Sequence, residues 1–139
     1  MMLLAGLLSA VLLAIAGTHA YWGLGGLWPA ASAAELARAV VGDGRTRMPA
    51  AWSCFSVAVL LVMVAVWPWL LLRHPVNQAV LAVGVIITAV FLLRGLAGYS
   101  PRWRQRFSTE PFATRDMRLY SPLCMLLATG FMVLLSREM

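Results

Sequence analysis

The chain has 139 residues, of which 62% are hydrophobic and 12% are charged, with a formal net charge of +6. Soluble globular domains carry about 25% charged residues, so this composition excludes a water-facing surface over most of the protein. Lipid must cover the exterior, which requires either helices or a closed barrel. The apolar runs are too long for barrel strands, and the sequence therefore predicts an all-α integral membrane protein.

Four apolar runs are long enough to cross a bilayer core, which needs about 20 helical residues. They predict a single domain over residues 1–139, with transmembrane helices at about 2–21, 52–72, 76–98 and 119–136. No arginine precedes Arg38, so the first run lacks the basic segment of a cleaved signal peptide and is predicted to be retained. Pro68 is expected to kink the second helix near its end.

The first loop is predicted to be structured. Glycines and a proline within residues 22–29 end the first helix, and their tryptophans suit the membrane boundary. Ser32 and Glu35 then have the spacing of a capping box, in which each residue bonds the other's backbone N–H. This spacing predicts a short interfacial helix over residues 33–41, ended by Gly42 and Gly44.

The arginines are distributed unevenly between the two sides of the predicted bundle. Three lie in the first loop and five lie in the third loop, whereas the opposite side has only Arg73 and Arg137. Positive loops usually stay in the cytoplasm, so both long loops are predicted to be cytoplasmic in a plasma (inner) membrane. The pattern predicts contact with membrane lipid and not with nucleic acid, and it leaves a homo-oligomer open.

In an up-and-down bundle, the end of span one, the start of span two, the end of span three and the start of span four meet at one side. Arg94 is notable there, because it lies in apolar sequence about one turn inside the boundary and needs a partner. It could reach the headgroups, pair with Asp116 as a structural clamp, or bind a ligand. The candidate ligand-binding residues at this end are His19, Tyr21, Trp22, Arg94, Asp116, Tyr120 and Ser121.

Other polar and aromatic residues have simpler interpretations. Ser121 is predicted to cap the fourth helix, with Pro122 in its first turn, in preference to a place in the pocket. Four tryptophans are interpreted as interfacial anchors: Trp52, Trp67, Trp69 and Trp103.

No metal site or cofactor is predicted. Cys54 and Cys124 are seventy residues apart without a CxxC motif, so they are interpreted as packing residues, with a disulfide as the alternative. A haem between His19 and His74 is disfavoured, because the span prediction places them on opposite sides.

Two long runs, His19 to Pro29 and Phe112 to Cys124, resemble the signatures of domain-of-unknown-function family 3995. The resemblance covers nearly the whole chain, because Arg94 also falls at the position of the family's third-span arginine. It implies a small bacterial four-span membrane protein and supplies no function. Where the resemblance implies an acidic residue near the end of span three, this chain has Gly98 and Tyr99. The positions that it marks are His19, Tyr21, Trp22, Gly25, Gly26, Arg94, Asp116, Tyr120, Ser121 and Pro122.

Several functions fit these residues. We rank first a binding module, whose pocket over the apolar helices holds a small amphipathic or anionic molecule. An intramembrane enzyme comes second, in which His19 and Asp116 exchange protons with a lipid-like substrate while Arg94 stabilises negative charge. An oligomeric small transporter and a membrane scaffold are further alternatives.

Overall fold

Four long helices form most of the chain in a computed structural model, which describes residues 1–73 and 75–137. Two short helices lie in the loops between them. In chain order the helices are α1 (Met2–Gly23), α2 (Ala33–Val40), α3 (Ala51–Leu70), α4 (Gln78–Ala97), α5 (Pro101–Arg106) and α6 (Phe112–Leu135). The predicted all-α fold, with four spans and a short helix in the first loop, is confirmed.

The bundle consists of two closely packed helix pairs, α1 with α3 and α4 with α6. The pairs meet around a core to which all four long helices contribute. Its buried members are Leu8, Leu12, Ala65, Leu71, Ile87, Leu127, Phe131, Leu134 and Leu135. Only 22% to 39% of the most apolar stretch of each long helix is buried inside the protein, so lipid must cover the remaining apolar surface.

The first loop forms one half of the capping box that the sequence predicts. The Ser32 hydroxyl accepts from the backbone N–H of Glu35 at 3.2 Å, and the Glu35 carboxylate accepts from the N–H of Ala31 at 3.0 Å. The first of these bonds satisfies an N–H group that the first turn of α2 leaves free. The second joins Glu35 to the residue before the N-cap instead of to Ser32 itself. Gly42 follows the helix with φ of +74°, a conformation that favours glycine, and the chain turns there.

Helix α6 begins seven residues before the predicted start of the fourth span. Hydropathy assigns the polar residues 112–118 to a loop, but the chain there is already helical. The Glu110 carboxylate stabilises this start by accepting from the backbone N–H and the hydroxyl of Thr114 at 3.1 and 2.9 Å. Asp116 to Tyr120 form a π-helical turn, after which α-helical geometry resumes at Ser121.

A neutral polar contact joins α1 and α3 at the end of the bundle opposite the long loops. The Ser9 hydroxyl donates to the Ala65 carbonyl at 2.6 Å and accepts from the indole N–H of Trp69 at 2.9 Å. The indole of Trp67 donates to the Val80 carbonyl of α4 at 3.0 Å. Two of the predicted interfacial anchors therefore also donate hydrogen bonds within the bundle, whereas Trp52 is exposed.

Candidate functional site

An ion pair between α4 and α6 forms the centre of the site. A guanidinium nitrogen of Arg94 lies 2.6 Å from a carboxylate oxygen of Asp116. The Asp116 side chain is 3% exposed, while that of Arg94 is 29% exposed. The ion pair is therefore asymmetric, because its carboxylate is enclosed by protein and part of its guanidinium reaches the surface.

Three donors from different parts of the chain meet at the Asp116 carboxylate. One oxygen accepts from Arg94 and from the Ser121 hydroxyl, which lies 3.3 Å away. The other oxygen accepts from the indole N–H of Trp103 at 2.8 Å. Ser121 also accepts from Arg94 at 3.3 Å. We refer to Arg94, Trp103, Asp116 and Ser121 as the charged cluster.

Trp103 belongs to the charged cluster, although the sequence indicated only an interfacial anchor. The Arg94 guanidinium carbon lies 4.5 Å from the centre of the Trp103 ring, which is within range of a cation–π interaction. Helix α5 positions the indole, and the Ser100 hydroxyl at its start accepts from the N–H of Trp103 at 3.3 Å. Ser100 followed by Pro101 is a helix-start signal that could have predicted this short helix.

Two glycines, one near the end of α4 and one directly after it, allow α6 to approach closely enough for the ion pair to form. A Cβ at Gly98 would collide with the Ser121 hydroxyl and would lie 3.0 Å from the Asp116 carboxylate. A Cβ at Gly95 would lie 2.5 Å from the Met125 side chain and 3.0 Å from the Ser121 carbonyl. The resemblance implied an acidic residue near the end of span three, where this chain has Gly98. The acidic partner of Arg94 is Asp116, which belongs to α6.

The π-helical turn aims Ser121 into the charged cluster. In this wider register the N–H of Ser121 bonds the Asp116 carbonyl, and the next bond would run from residue 122 to Met117. Pro122 has no N–H to give, and the Met117 carbonyl accepts from the Tyr99 hydroxyl at 2.9 Å. The prediction that Ser121 caps a helix is wrong, because the helix is already formed before it.

His19, Tyr21 and Trp22 organise the turn after α1. The His19 Nδ1 lies 2.9 Å from the Ile15 carbonyl of its own helix, and its ring meets that of Trp22 edge-on at 5.2 Å. The Trp22 indole donates to the Trp28 carbonyl at 2.8 Å, and the Tyr21 ring packs where a Cβ of Gly26 would be. Within residues 1–73 and 75–137, no hydrogen bond joins these three side chains to the charged cluster.

Tyr120 joins the two long loops. Its hydroxyl donates to the Ala39 carbonyl of α2 at 3.0 Å. Nearby, the N–H of Thr109 donates to the Gly42 carbonyl at 3.1 Å, and the buried ring of Phe112 packs directly against Gly42. These contacts hold the first loop against the start of α6.

A small cleft of about 180 Å³ lies beside the charged cluster and includes Gly98, Trp103, Glu110 and Asp116 in its walls. The described residues hold no group of three or more His, Cys, Asp or Glu side chains placed to bind a metal ion. Cys54 and Cys124 are both free thiols. His74, the second axial ligand of the disfavoured haem alternative, lies outside the described residues.

The fold and the site define an integral membrane protein of four spans with a charged cluster at the loop end of its bundle. The chain belongs to the family of proteins of unknown function DUF3995, whose model matches residues 12–131. This match includes both runs that carried the resemblance, together with Arg94, and confirms it. Comparison with curated proteins and with solved structures found no match.

Proposed function

We propose that this protein binds a small amphipathic anion, of the kind that carries a phosphate and an acyl chain, at the outer face of the charged cluster. The observation that carries the proposal is the asymmetry of the ion pair. A guanidinium has five N–H donors. Arg94 uses two of its nitrogens for Asp116 and Ser121, and 29% of its side chain remains exposed.

The exposed part of Arg94 borders the lipid-facing surface of α4. Leu93 and Val90, one and four residues earlier, are 67% and 59% exposed. Arg94 lies three residues before the end of the helix at Ala97, or about 4.5 Å along its axis. Lipid ester and phosphate oxygens at this depth would be acceptors for the remaining N–H donors, and donors without an acceptor in that environment are costly.

Neighbouring side chains also hold the Arg94 guanidinium in place before an anion binds. Trp103 covers one face of the group and Asp116 fixes one edge, so little side-chain freedom remains to be lost when an anion arrives. Arginine recognises phosphate through two parallel N–H bonds, which favours a phosphate or carboxylate head over a neutral one.

A structural clamp within a membrane scaffold is the second candidate. It is favoured by the donors that occupy both Asp116 oxygens, an arrangement that stabilises the bundle without any ligand. The same occupancy weakens the enzyme alternative, because both Asp116 oxygens already accept hydrogen bonds from the protein's own side chains. His19, the other proposed acid–base group, bonds its own helix instead of Asp116.

A double variant separates the two candidates. Arg94→Met with Asp116→Leu removes both charges together, and apolar replacement of a whole buried ion pair is often neutral for stability. The protein is purified in mild detergent, phosphatidylglycerol is titrated in, and bound lipid is counted by native mass spectrometry. Arg73→Met, at the opposite end of the bundle, is the control for removal of an arginine away from the charged cluster.

We expect the double variant to lose phosphatidylglycerol binding by about tenfold or more while Arg73→Met retains it, since one charge-assisted contact contributes about 1.5–3 kcal/mol. A folded double variant that binds as well as the native protein would reject the anion site and leave the clamp. Should the double variant not fold, Arg94→Lys keeps the charge without the planar fork, and unaltered binding in that variant would also count against the proposal.

A further inference from the structure

A second cleft, of about 250 Å³, lies between the first loop and the start of α6. Its walls come from α2 and its preceding turn on one side and from residues 110–115 on the other. Four charged side chains line it, two of each sign: Glu35, Arg38, Glu110 and Arg115.

The cleft is held open in a defined shape. The hydrogen bond from Tyr120 to Ala39 fixes the distance between its two walls, and Thr109 and Phe112 hold Gly42 beside it. Because these contacts already join the loops, a ligand entering the cleft need not order them, and binding is correspondingly less costly.

The two carboxylates are anchored by backbone groups. Glu35 accepts from the N–H of Ala31, and Glu110 accepts from the N–H and hydroxyl of Thr114. Neither carboxylate lies within 4.0 Å of a guanidinium nitrogen of Arg38 or Arg115 in the described part of the chain. The cleft therefore presents two fixed negative groups and two positive groups that do not neutralise each other by direct contact.

We infer that this cleft binds a zwitterion in which a phosphate is joined to a primary ammonium. The phosphate would accept from Arg38 and Arg115, which approach from opposite walls, and the ammonium would donate to Glu35 and Glu110. A ligand with only a negative group would be repelled by the two glutamates, and a ligand with only a positive group would be repelled by the two arginines. Only a ligand of both signs matches all four side chains.

The depth of the cleft agrees with a lipid headgroup as the source of this chemistry. Arg115 precedes Leu119, where the apolar part of α6 begins, by four residues, or about 6 Å of helix. Headgroup layers extend about 5–8 Å beyond each side of the hydrocarbon core. A phosphoethanolamine headgroup at the membrane surface would lie at this level, and free phosphoethanolamine has the same two charged groups.

The inference does not depend on the proposed function, because the second cleft shares no residue with the charged cluster. Glu110 borders both clefts, and the test leaves Glu110 unchanged. Its test uses Arg38→Gln with Arg115→Gln, two exposed side chains whose replacement leaves the ion pair of the bundle intact. The matched control is Arg102→Gln with Arg106→Gln, which removes the same charge from exposed positions outside the cleft.

Phosphatidylethanolamine, phosphatidylcholine and phosphatidylglycerol are titrated separately, and bound lipid is counted by native mass spectrometry. We expect the native protein and the Arg102/Arg106 control to prefer phosphatidylethanolamine to phosphatidylcholine, whose methylated ammonium has no N–H to donate. The Arg38/Arg115 variant should lose phosphatidylethanolamine binding by about tenfold, the equivalent of roughly 1.4 kcal/mol.

Equal phosphatidylethanolamine binding by the two double variants would overturn the inference. So would a preference for phosphatidylglycerol that depends on Arg38 and Arg115, because that result would mean an anion site. A thermal-shift titration with free phosphoethanolamine distinguishes the source: protection that requires both arginines supports the same chemistry with a water-soluble ligand. Lipid binding lost only in the Arg94 double variant would support the first site and reject this one.

Discussion

The two ends of the bundle each hold a polar contact between paired helices, and the two contacts differ in charge. At one end Ser9 bonds Ala65 and Trp69, so the groups are neutral and partnered by protein. At the loop end Arg94 pairs with Asp116 and keeps part of its guanidinium exposed. A neutral contact is inexpensive to bury, whereas a buried charge requires its partner and attracts further ones. The difference favours a ligand at the loop end alone.

Breaking the charged contact on one side should have the largest effect. Arg94→Ala leaves the buried Asp116 carboxylate without its cation, and we expect the free energy of unfolding in detergent to fall by about 3–5 kcal/mol. Ser9→Ala, which breaks the neutral contact, should cost about 1 kcal/mol. Both values can be measured by denaturant titration followed by circular dichroism. Equal losses in the two variants would remove the energetic distinction between the two ends.

Sequence reasoning reached the fold, and it reached the ion pair as one of three alternatives for Arg94, because the signals for both are local in the chain. Long apolar runs predict spans, and a charge such as Arg94 within one of them predicts a partner. Trp103 and Ser121 were missed or misassigned because their roles depend on tertiary approach. An indole in a loop carries no periodic signal, and the π-helical turn that aims Ser121 forms where Gly98 admits α6.

For His19, Tyr21 and Trp22 the error was the opposite one, because sequence reasoning assigned them to the same site as Arg94 and Asp116. Span counting placed them correctly at the loop end, beside Arg94 in the predicted order of elements. Adjacency at one end of a bundle does not fix which way a side chain points, however. His19 bonds its own helix, Trp22 bonds the turn after it, and the Tyr21 ring packs against Gly26. Their predicted role in ligand binding stays a prediction.

Substitution of Gly98 tests the close approach of α6 to the end of α4, with a smaller expected effect. Gly98→Ala places a methyl group against Ser121 and Asp116, and we expect a loss of about 1–3 kcal/mol from overpacking at the charged contact. Gly17→Ala in α1 is the matched control, because a Cβ there meets nothing within 4 Å. That change should be neutral or stabilise by up to about 1 kcal/mol, since alanine favours the helix. If the Gly98 variant is as stable as the Gly17 variant, α4 and α6 can move apart without lowering the free energy of unfolding.

An ion pair in the first loop, whose arginine side chain is 45% exposed, sharpens the comparison with the buried one. In the first loop, a side-chain hydrogen bond from Arg45 holds the pKa of Asp43 below its usual range, and the two groups lie 2.7 Å apart. Because the folded-state pKa is below the unfolded value of about 3.9, the pair stabilises the folded protein above that pH. The stabilisation is lost as the pH falls through the folded-state pKa.

Asp43→Asn tests this exposed pair and should give the smallest effect of the series. The melting temperatures of native and variant protein are compared from about pH 6 down to about pH 3, a range that spans the unfolded pKa of aspartate. We expect a small difference at the upper end that closes as Asp43 becomes protonated, because exposed ion pairs contribute little and are screened by salt. A difference that stays constant across the range would mean that Asp43 acts through hydrogen bonding that does not require its charge. Asp43 and Arg45 could then not serve as the exposed ion pair for comparison. The contribution of the buried ion pair to stability would have to be measured from variants of Arg94 and Asp116 alone.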